Sequence, residues 1–157
     1  YYLRRDYRGN YDINGSLFLQ ADCILGESKN LTIYGHNMNS GAMFGNLDLY
    51  AGEDYYNAHR FAYLQTEDGI QEYKIVTVLK ADRNLFPFQQ KLPDVVAVQE
   101  YLKVAKRREV FETGDDYLKC IYDKVLTLVT CSYEWSGARN IVLAVPVSGA
   151  VWSQKCS

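Results

Sequence analysis

A cysteine and an arginine stand at the two ends of one polar loop in the last third of the sequence. The run VLTLVTC (125–131) alternates as a strand does and ends on Cys131, and RNIVLAVPV (139–147) begins on Arg139. Between them, SYEWSGA carries a glycine and two serines and indicates a loop. If the two runs are antiparallel neighbours, facing residues on one side lie about 5 Å apart at Cβ. A thiol would then have a cation beside it.

A histidine occupies a similar place earlier in the chain. LTIY (31–34) indicates a strand, Gly35 interrupts it, and His36 follows directly before the polar loop NMNSG. Cysteine, histidine and arginine at strand ends are a thiol nucleophile, a proton-transfer partner and a charge stabiliser, the groups used in acyl transfer. His59 is the other histidine, but no strand-ending glycine precedes it. His36 is therefore the better candidate.

Each of these three residues also has a purely structural interpretation. A cysteine at a strand end is commonly a small buried hydrophobe, a single histidine is commonly a satisfied polar residue, and an arginine after a turn is commonly solvated. Residue types and spacing do not by themselves bring the three side chains together. Both interpretations stay open at this point.

The remaining cysteines do not form a metal-binding pattern. Cys23, Cys120 and Cys156 are scattered without a C-x-x-C pair, and the sequence has only two histidines. We therefore expect no metal and no cofactor. One disulfide could form among these cysteines in three ways, but three unpaired thiols are the favoured interpretation.

Most of the chain follows the pattern of short strands that suits a sandwich or barrel. The β-rich runs are 16–21, 30–35, 60–66, 71–81, 124–131 and 139–147. One segment differs: near 93–109, valine, leucine and alanine recur on one helical face after a Pro-Asp entry signal, which predicts a long amphipathic helix. A second short helix could lie within 41–59, although two glycines weaken that prediction. The fold class is mainly β with helical insertions.

Composition excludes several classes of function. The 157 residues carry 17 lysines and arginines against 19 acidic residues, a net charge of −2, so the basic surface of a nucleic-acid-binding protein is missing. No run approaches the roughly 18 apolar residues of a membrane span. The first residues, YYLRRDYRGN, resemble no signal peptide, so we expect this chain to start downstream of any targeting segment.

Two motifs resemble the sortases, and class B sortases in particular. TLVTC at 127–131 followed by Arg139 is similar to the T-L-x-T-C…R signature of that family. IYGHNMNSGAMFGNL at 33–47 is similar to its Y-G-H-N-M…M-F-G-x-L block. The first nineteen residues and the helix near 93–109 extend the resemblance along nearly the whole chain.

The resemblance implies a closed β-barrel with helical insertions, formed by residues 1–157 as one catalytic domain, and a cysteine transpeptidase activity. Cys131 would attack a backbone carbonyl in the C-terminal sorting signal of a secreted protein and form a thioacyl-enzyme, which an amine of a cell-wall precursor resolves. His36 would protonate the leaving amine and activate the incoming one. Arg139 would hold the substrate and the developing oxyanion.

The resemblance also implies partners, contacts and a location. The partners would be the sorting-signal peptide and an amine nucleophile, and the site would be on the extracellular face of a Gram-positive cell membrane. This chain is expected to lack the N-terminal helix and the first strand that are usual in the family, and to lack the membrane anchor. Residues at or beside peptide-contacting positions of related enzymes are Tyr34, Thr130, Leu85, Phe86 and Ser132, of which Tyr34 and Phe86 could equally belong to the core.

Departures from the family pattern leave alternatives open. Val129 stands where a small polar residue is frequent, and Ser132 stands where an acidic residue is frequent, so the sorting signal is not defined. A pilus-assembly sortase would use the same site with a pilin lysine as the amine. A β-barrel that only binds peptides, with its thiols serving packing, is the alternative from a different class.

Overall fold

The strands of the protein form one sheet in the part of the chain that the computed structural model describes, residues 4–114, 116–131 and 136–147, with the backbone alone at Cys131. The strands are β1 (Phe18–Leu19), β2 (Asn30–Tyr34), β3 (Phe61–Thr66), β4 (Gly69–Ala81), β5 (Val125–Cys131) and β6 (Arg139–Pro146). Each falls within, or within two residues of, one of the six predicted runs. The mainly β prediction is confirmed.

The order of strands across the sheet is β1-β2-β5-β6-β4-β3. β2 and β5 are parallel, and the other neighbouring pairs are antiparallel. In the described residues β1 and β3 are edges that do not pair with each other, so the sheet is a curled half-barrel where the resemblance implied a closed barrel. Because β2 and β5 run in one direction and β6 runs in the other, the last residues of β2 and β5 lie at the same end of the sheet as the first residue of β6.

Both faces of the central strands are buried, which explains their nearly continuous apolar sequences. Val125 and Val129 of β5 belong to a core cluster that also holds the long helix. Leu126 and Leu128 face a second cluster on the opposite side of the sheet. The predicted alternation of β5 side chains is confirmed, because alternate residues serve different cores.

The predicted long helix is α2 (Val95–Lys106), which is shorter than the segment 93–109. Asp94 begins it as the N-cap, because its side chain accepts a hydrogen bond from the backbone N–H of Ala97 at 2.8 Å. Val98, Leu102 and Ala105 are buried against the sheet, as the helical period predicts.

Short helices occupy two connections. Residues 41–59, where one short helix was predicted, contain a 3₁₀ helix (Gly45–Ala51) and α1 (Glu53–Ala58). A further 3₁₀ helix (Asp116–Lys119) precedes β5. No helix in the described ranges is long and apolar enough to cross a membrane.

The cysteines differ from the expectation of three unpaired thiols. Cys23 is a free thiol, and its Sγ donates to the carbonyl of Asn30 at 3.1 Å. Cys120 is disulfide-bonded, so the expectation is wrong for this residue. Cys156 lies outside the described residues. Cys120 lies before the start of β5 and Cys131 is the last residue of that strand, so the whole of β5 lies between the two cysteines in the chain.

Candidate active site

The end of β5 and the start of β6 bring two of the predicted site residues to one register position. Cys131 pairs with Arg139 in the antiparallel ladder, and Thr130 pairs with Asn140. The side chain of Cys131 lies outside the described part of the molecule. Arg139 is half-buried, and its Nη1 donates to the carbonyl of Ala138 at 2.8 Å. The antiparallel neighbourhood that the sequence suggested for these two runs is confirmed.

The parallel pairing of β2 with β5 leads His36 to the same end of the sheet. Tyr34 pairs with Val129, and the N–H of Gly35 continues the ladder by donating to the carbonyl of Val129 at 3.2 Å. Thr130 Oγ1 donates to the carbonyl of Gly35 at 2.9 Å, so the end of β5 is still in contact with the segment after β2 one residue before His36. His36, Cys131 and Arg139 thus leave or enter three adjacent strands at one end of the sheet.

The other histidine is placed differently. His59 follows the last residue of α1, and its ring stacks on the ring of Tyr55 with 3.9 Å between centroids. Its Nδ1 lies 3.0 Å from the carbonyl of Tyr55. His36 therefore follows the end of β2 whereas His59 lies between α1 and β3, and the catalytic role of His36 stays a prediction.

The loop that follows His36 is tied to the strand by its own backbone. The N–H of Phe44 donates to the carbonyl of His36 at 2.9 Å, and Asn37 forms an isolated bridge with Met43. Asn37 Nδ2 also donates to Asp48 Oδ2 at 2.5 Å. A Cβ on Gly35 would lie 2.7 Å from the Phe44 ring, so glycine lets this ring close over the strand. The block 33–47 therefore holds the backbone around His36.

Tyr34 lies beside this end of the sheet and is fixed through its hydroxyl. The hydroxyl donates to Gln20 Oε1 at 2.9 Å and accepts from Gln89 Nε2 at 2.8 Å. Burial raises the pKa of the Tyr34 hydroxyl above its ordinary value, while the Gln89 hydrogen bond and the charge of Arg139 oppose that rise. Tyr34 is half-buried, so part of its surface stays accessible.

The other four predicted contact residues separate into exposed, buried and undescribed positions. Leu85 is 48% exposed in the loop between β4 and α2. Phe86 is fully buried against Tyr101, with 4.9 Å between ring centroids, and Thr130 is 2% exposed with its hydroxyl bound to Gly35. These two side chains offer almost no surface to a peptide, so we do not propose them as contacts. Ser132 lies outside the described residues.

Three residues near the site were not identified from the sequence. Gln20 and Gln89 hold the Tyr34 hydroxyl, and Asp48 holds Asn37. No local pattern links Gln20 to Gln89, which are 69 residues apart in the sequence. Only the fold of the loop between β4 and α2 brings them together. Asp48 directly follows the motif block 33–47, so that block was a signal that could have identified it.

Comparisons with known proteins agree with the geometry. The family model described as the Sortase domain matches residues 6–147. The chain is 30% identical over 140 residues to sortase B of Listeria monocytogenes, an alignment that covers 85% of this chain and 54% of that protein. The chain therefore spans about half the length of this curated relative.

Solved structures share the fold. Sortase B of Clostridium perfringens superposes with a TM-score of 0.80 at 24% identity, covering 93% of this chain and 80% of that one. A Staphylococcus aureus sortase B–substrate complex superposes with a TM-score of 0.79 at 22% identity, covering 96% of this chain and 69% of that one. Strand order, motif positions and the family match lead to one conclusion: this chain belongs to the sortase family.

Proposed function

We propose that this chain is the catalytic domain of a class B cysteine transpeptidase that acts on the C-terminal sorting signal of secreted proteins. The observation that carries the proposal is the register of β2, β5 and β6. It leads His36, Cys131 and Arg139, which are far apart in the sequence, to one end of three adjacent strands. The family match over residues 6–147 supports the same reaction class.

The proposed reaction has two acyl-transfer steps. The sulfur of Cys131 adds to a backbone carbonyl of the signal, the C–N bond breaks, and protonated His36 gives its proton to the leaving amine. An incoming amine then attacks the thioester, the C–S bond breaks, and His36 takes a proton from that amine. Both steps pass through an oxyanion, which the guanidinium of Arg139 would stabilise by charge-assisted hydrogen bonding.

The partners follow from this chemistry. One is an extended peptide, which we propose lies along the exposed parts of Tyr34 and Leu85. The other is a primary amine, for which a cell-wall precursor is the leading candidate. We propose a site of action on the extracellular face of the cell membrane.

The test is covalent trapping. The protein is incubated with a library of sorting-signal peptides, and intact mass spectrometry is used to seek an adduct that hydroxylamine removes. We expect one peptide class to form such a thioester in the parent protein and none to do so in Cys131→Ala. An adduct that persists in Cys131→Ala would place the acyl group on another side chain and contradict the role of Cys131, whereas no adduct with any peptide would favour a domain that only binds peptides.

The acceptor amine is tested on the trapped species. A glycine-based or cell-wall amine and a peptide containing a pilin-type lysine are supplied together to the acyl-enzyme, and the products are compared. We expect the cell-wall type of amine to dominate. Dominance of the lysine product would assign the protein to pilus assembly with the same catalytic residues.

A further inference from the structure

A buried network of hydrogen bonds joins the loop between β4 and α2 to the middle of the sheet. Its hub is Asn30, the first residue of β2, which is 4% exposed. Asn30 Nδ2 donates to the carbonyls of Phe88 and Gln90 at 3.1 and 2.9 Å. Both hydrogens of the amide are thus used on two carbonyls of the same loop.

The direction of the remaining bonds fixes the orientation of Asn30. Thr127 Oγ1 of β5 donates to Asn30 Oδ1 at 2.7 Å, which uses its only hydrogen. The Tyr101 hydroxyl of α2, 3.1 Å from Thr127 Oγ1, must then be the donor to it or to the Phe88 carbonyl. Thr32 also donates to that carbonyl at 3.2 Å. The side-chain amide of Asn30 is satisfied in one orientation only. If it were flipped, Oδ1 would face the carbonyl oxygens of Phe88 and Gln90, and all three of these atoms are acceptors.

The loop held in this way, residues 82–92, runs beside the proposed site. It follows Ala81, which pairs with Arg139 in the ladder between β4 and β6. Asp82 shapes its first turn by accepting from the N–H groups of Asn84 and Leu85 at 2.7 and 3.0 Å, and Leu85 is exposed there. Near its other end, Gln89 Nε2 donates to the Tyr34 hydroxyl. The loop therefore runs from Ala81, the ladder partner of Arg139, to the hydrogen bond between Gln89 and Tyr34.

We propose that Asn30 is a positioning residue for peptide binding. By fixing the carbonyls of Phe88 and Gln90, it holds residues 82–92 as a preformed wall between Arg139 and Tyr34, so the peptide binds without first having to order this loop. Asn30 itself is buried and touches neither the peptide nor the reacting atoms. This inference rests on the proposed function, since the peptide is the substrate of that reaction.

The experiment uses two variants and a matched control. Asn30→Ala removes both donors to the loop. Thr127→Val keeps the volume of the side chain but removes the bond that orients Asn30. Thr77→Val is the control, because Thr77 is as buried as Thr127 and its hydroxyl donates to Glu109 Oε2 at 3.1 Å. The hydrogen bonds of this cluster join Thr77, Lys106, Glu109 and Thr113, and among the described residues none of them reaches 82–92.

Four quantities are measured in the intact chain, after the parent has been shown to form the acyl-enzyme. They are KM and kcat for its peptide, hydrogen–deuterium exchange over residues 82–92, and the rate of Cys131 alkylation. We expect Asn30→Ala to raise KM about tenfold, the effect of about one buried hydrogen bond on affinity, with kcat changed by less than about threefold. Exchange should accelerate in 82–92 alone, and the alkylation rate should stay that of the parent. Thr127→Val should show a smaller effect of the same kind, and Thr77→Val neither effect.

The outcomes separate this proposal from the function on which it rests. A parent that forms no acyl-enzyme overturns the proposed function. Faster exchange in 82–92 with unchanged KM, or unchanged exchange in that segment, overturns the positioning role while leaving the function intact. A fall in kcat at constant KM also overturns it. If Asn30→Ala does not fold, Thr127→Val decides by the same criteria.

Discussion

Arg139 is the proposed site residue whose side chain is both described and permanently charged. It opens β6 opposite Cys131, and its own backbone neighbour, the carbonyl of Ala138, accepts one of its five N–H donors. The remaining donors leave a forked set that suits a carbonyl oxygen that becomes negative during acyl transfer. The position in the register, and not any unusual local sequence, gives this arginine its proposed role.

Substitution of Arg139 tests that role directly. We expect Arg139→Ala to lower kcat/KM for the trapped peptide by about 10²-fold or more, the usual cost of losing an oxyanion donor. Arg139→Lys should recover only part of the activity, because an ammonium keeps the charge but not the fork. The measurement is the steady-state rate of peptide cleavage, with Arg108→Ala as an exposed control arginine. A loss below about threefold in Arg139→Ala, within the range of the control, would contradict a catalytic role.

Among the elements, the loop after β2 depends on close backbone packing. Gly45 begins the 3₁₀ helix Gly45–Ala51, and a Cβ at this position would lie 2.1 Å from the carbonyl of Met38. Because the obstacle is backbone, it can move only if the loop from His36 to Phe44 moves with it. Gly52 follows the last residue of the same helix as its C-cap, and a Cβ there would meet its nearest atom at an ordinary 3.4 Å.

These two glycines give a matched pair of variants. Gly45→Ala is expected to lower the free energy of unfolding by about 1–3 kcal/mol, as overpacking does. It should also reduce activity, because His36 opens the loop that must shift. Gly52→Ala should change both quantities little. Urea denaturation and peptide cleavage check this, and equal effects of the two substitutions would count against the packing argument.

The long helix α2 depends on its N-cap. Asp94 has extended backbone dihedrals and accepts from the N–H of Ala97, which would otherwise lack a partner at the helix start. We expect Asp94→Ala to cost about 1 kcal/mol of stability and Asp94→Asn to cost much less, since asparagine is an equally good N-cap. Thermal denaturation measures both. Equal destabilisation by the two substitutions would show that the carboxylate charge matters more than the cap.

At the scale of the whole molecule, the two cores on either side of the sheet bury several tyrosines. Burial is the main reason that the pKa values of the Tyr34, Tyr73 and Tyr101 hydroxyls lie above their ordinary value, and it raises the pKa of Tyr50 to about 12. The folded protein therefore keeps protons on these groups at a pH where the unfolded chain has lost them.

This difference predicts how stability depends on alkaline pH. Below about pH 10 both states keep these tyrosines protonated, and the groups add no pH dependence. Above about pH 10 the folded state binds more protons than the unfolded state, so the free energy of unfolding falls as pH rises. Chemical denaturation across this range, with tyrosinate absorbance, provides the measurement.

Tyr101→Phe is the informative variant, because it should make the alkaline decline less steep. The buried tyrosines with raised pKa values should ionise only as the protein unfolds. Tyrosinate absorbance that reaches its full value while the protein is still folded would contradict the prediction.

The sequence by itself determined the local elements. Alternating or β-rich runs located all six strands, the helical period located α2, and the glycine before His36 and the loop before Arg139 correctly marked strand ends. These signals are local, because a strand or helix shows its buried face in its own spacing of apolar residues. The family motifs were equally readable, and the match to the sortase family agrees with them.

Only the tertiary structure decided which distant residues meet. The parallel pairing of β2 with β5 leads His36 towards the end of β5, and the fold of residues 82–92 brings Gln89 to Tyr34 and the Phe88 carbonyl to Asn30. It also buried Phe86 and Thr130, which the sequence offered as peptide contacts, and placed Cys120 in a disulfide. Such contacts depend on strand order and loop path, which leave no periodic trace in the chain, because the residues that satisfy one another are separated by tens of positions.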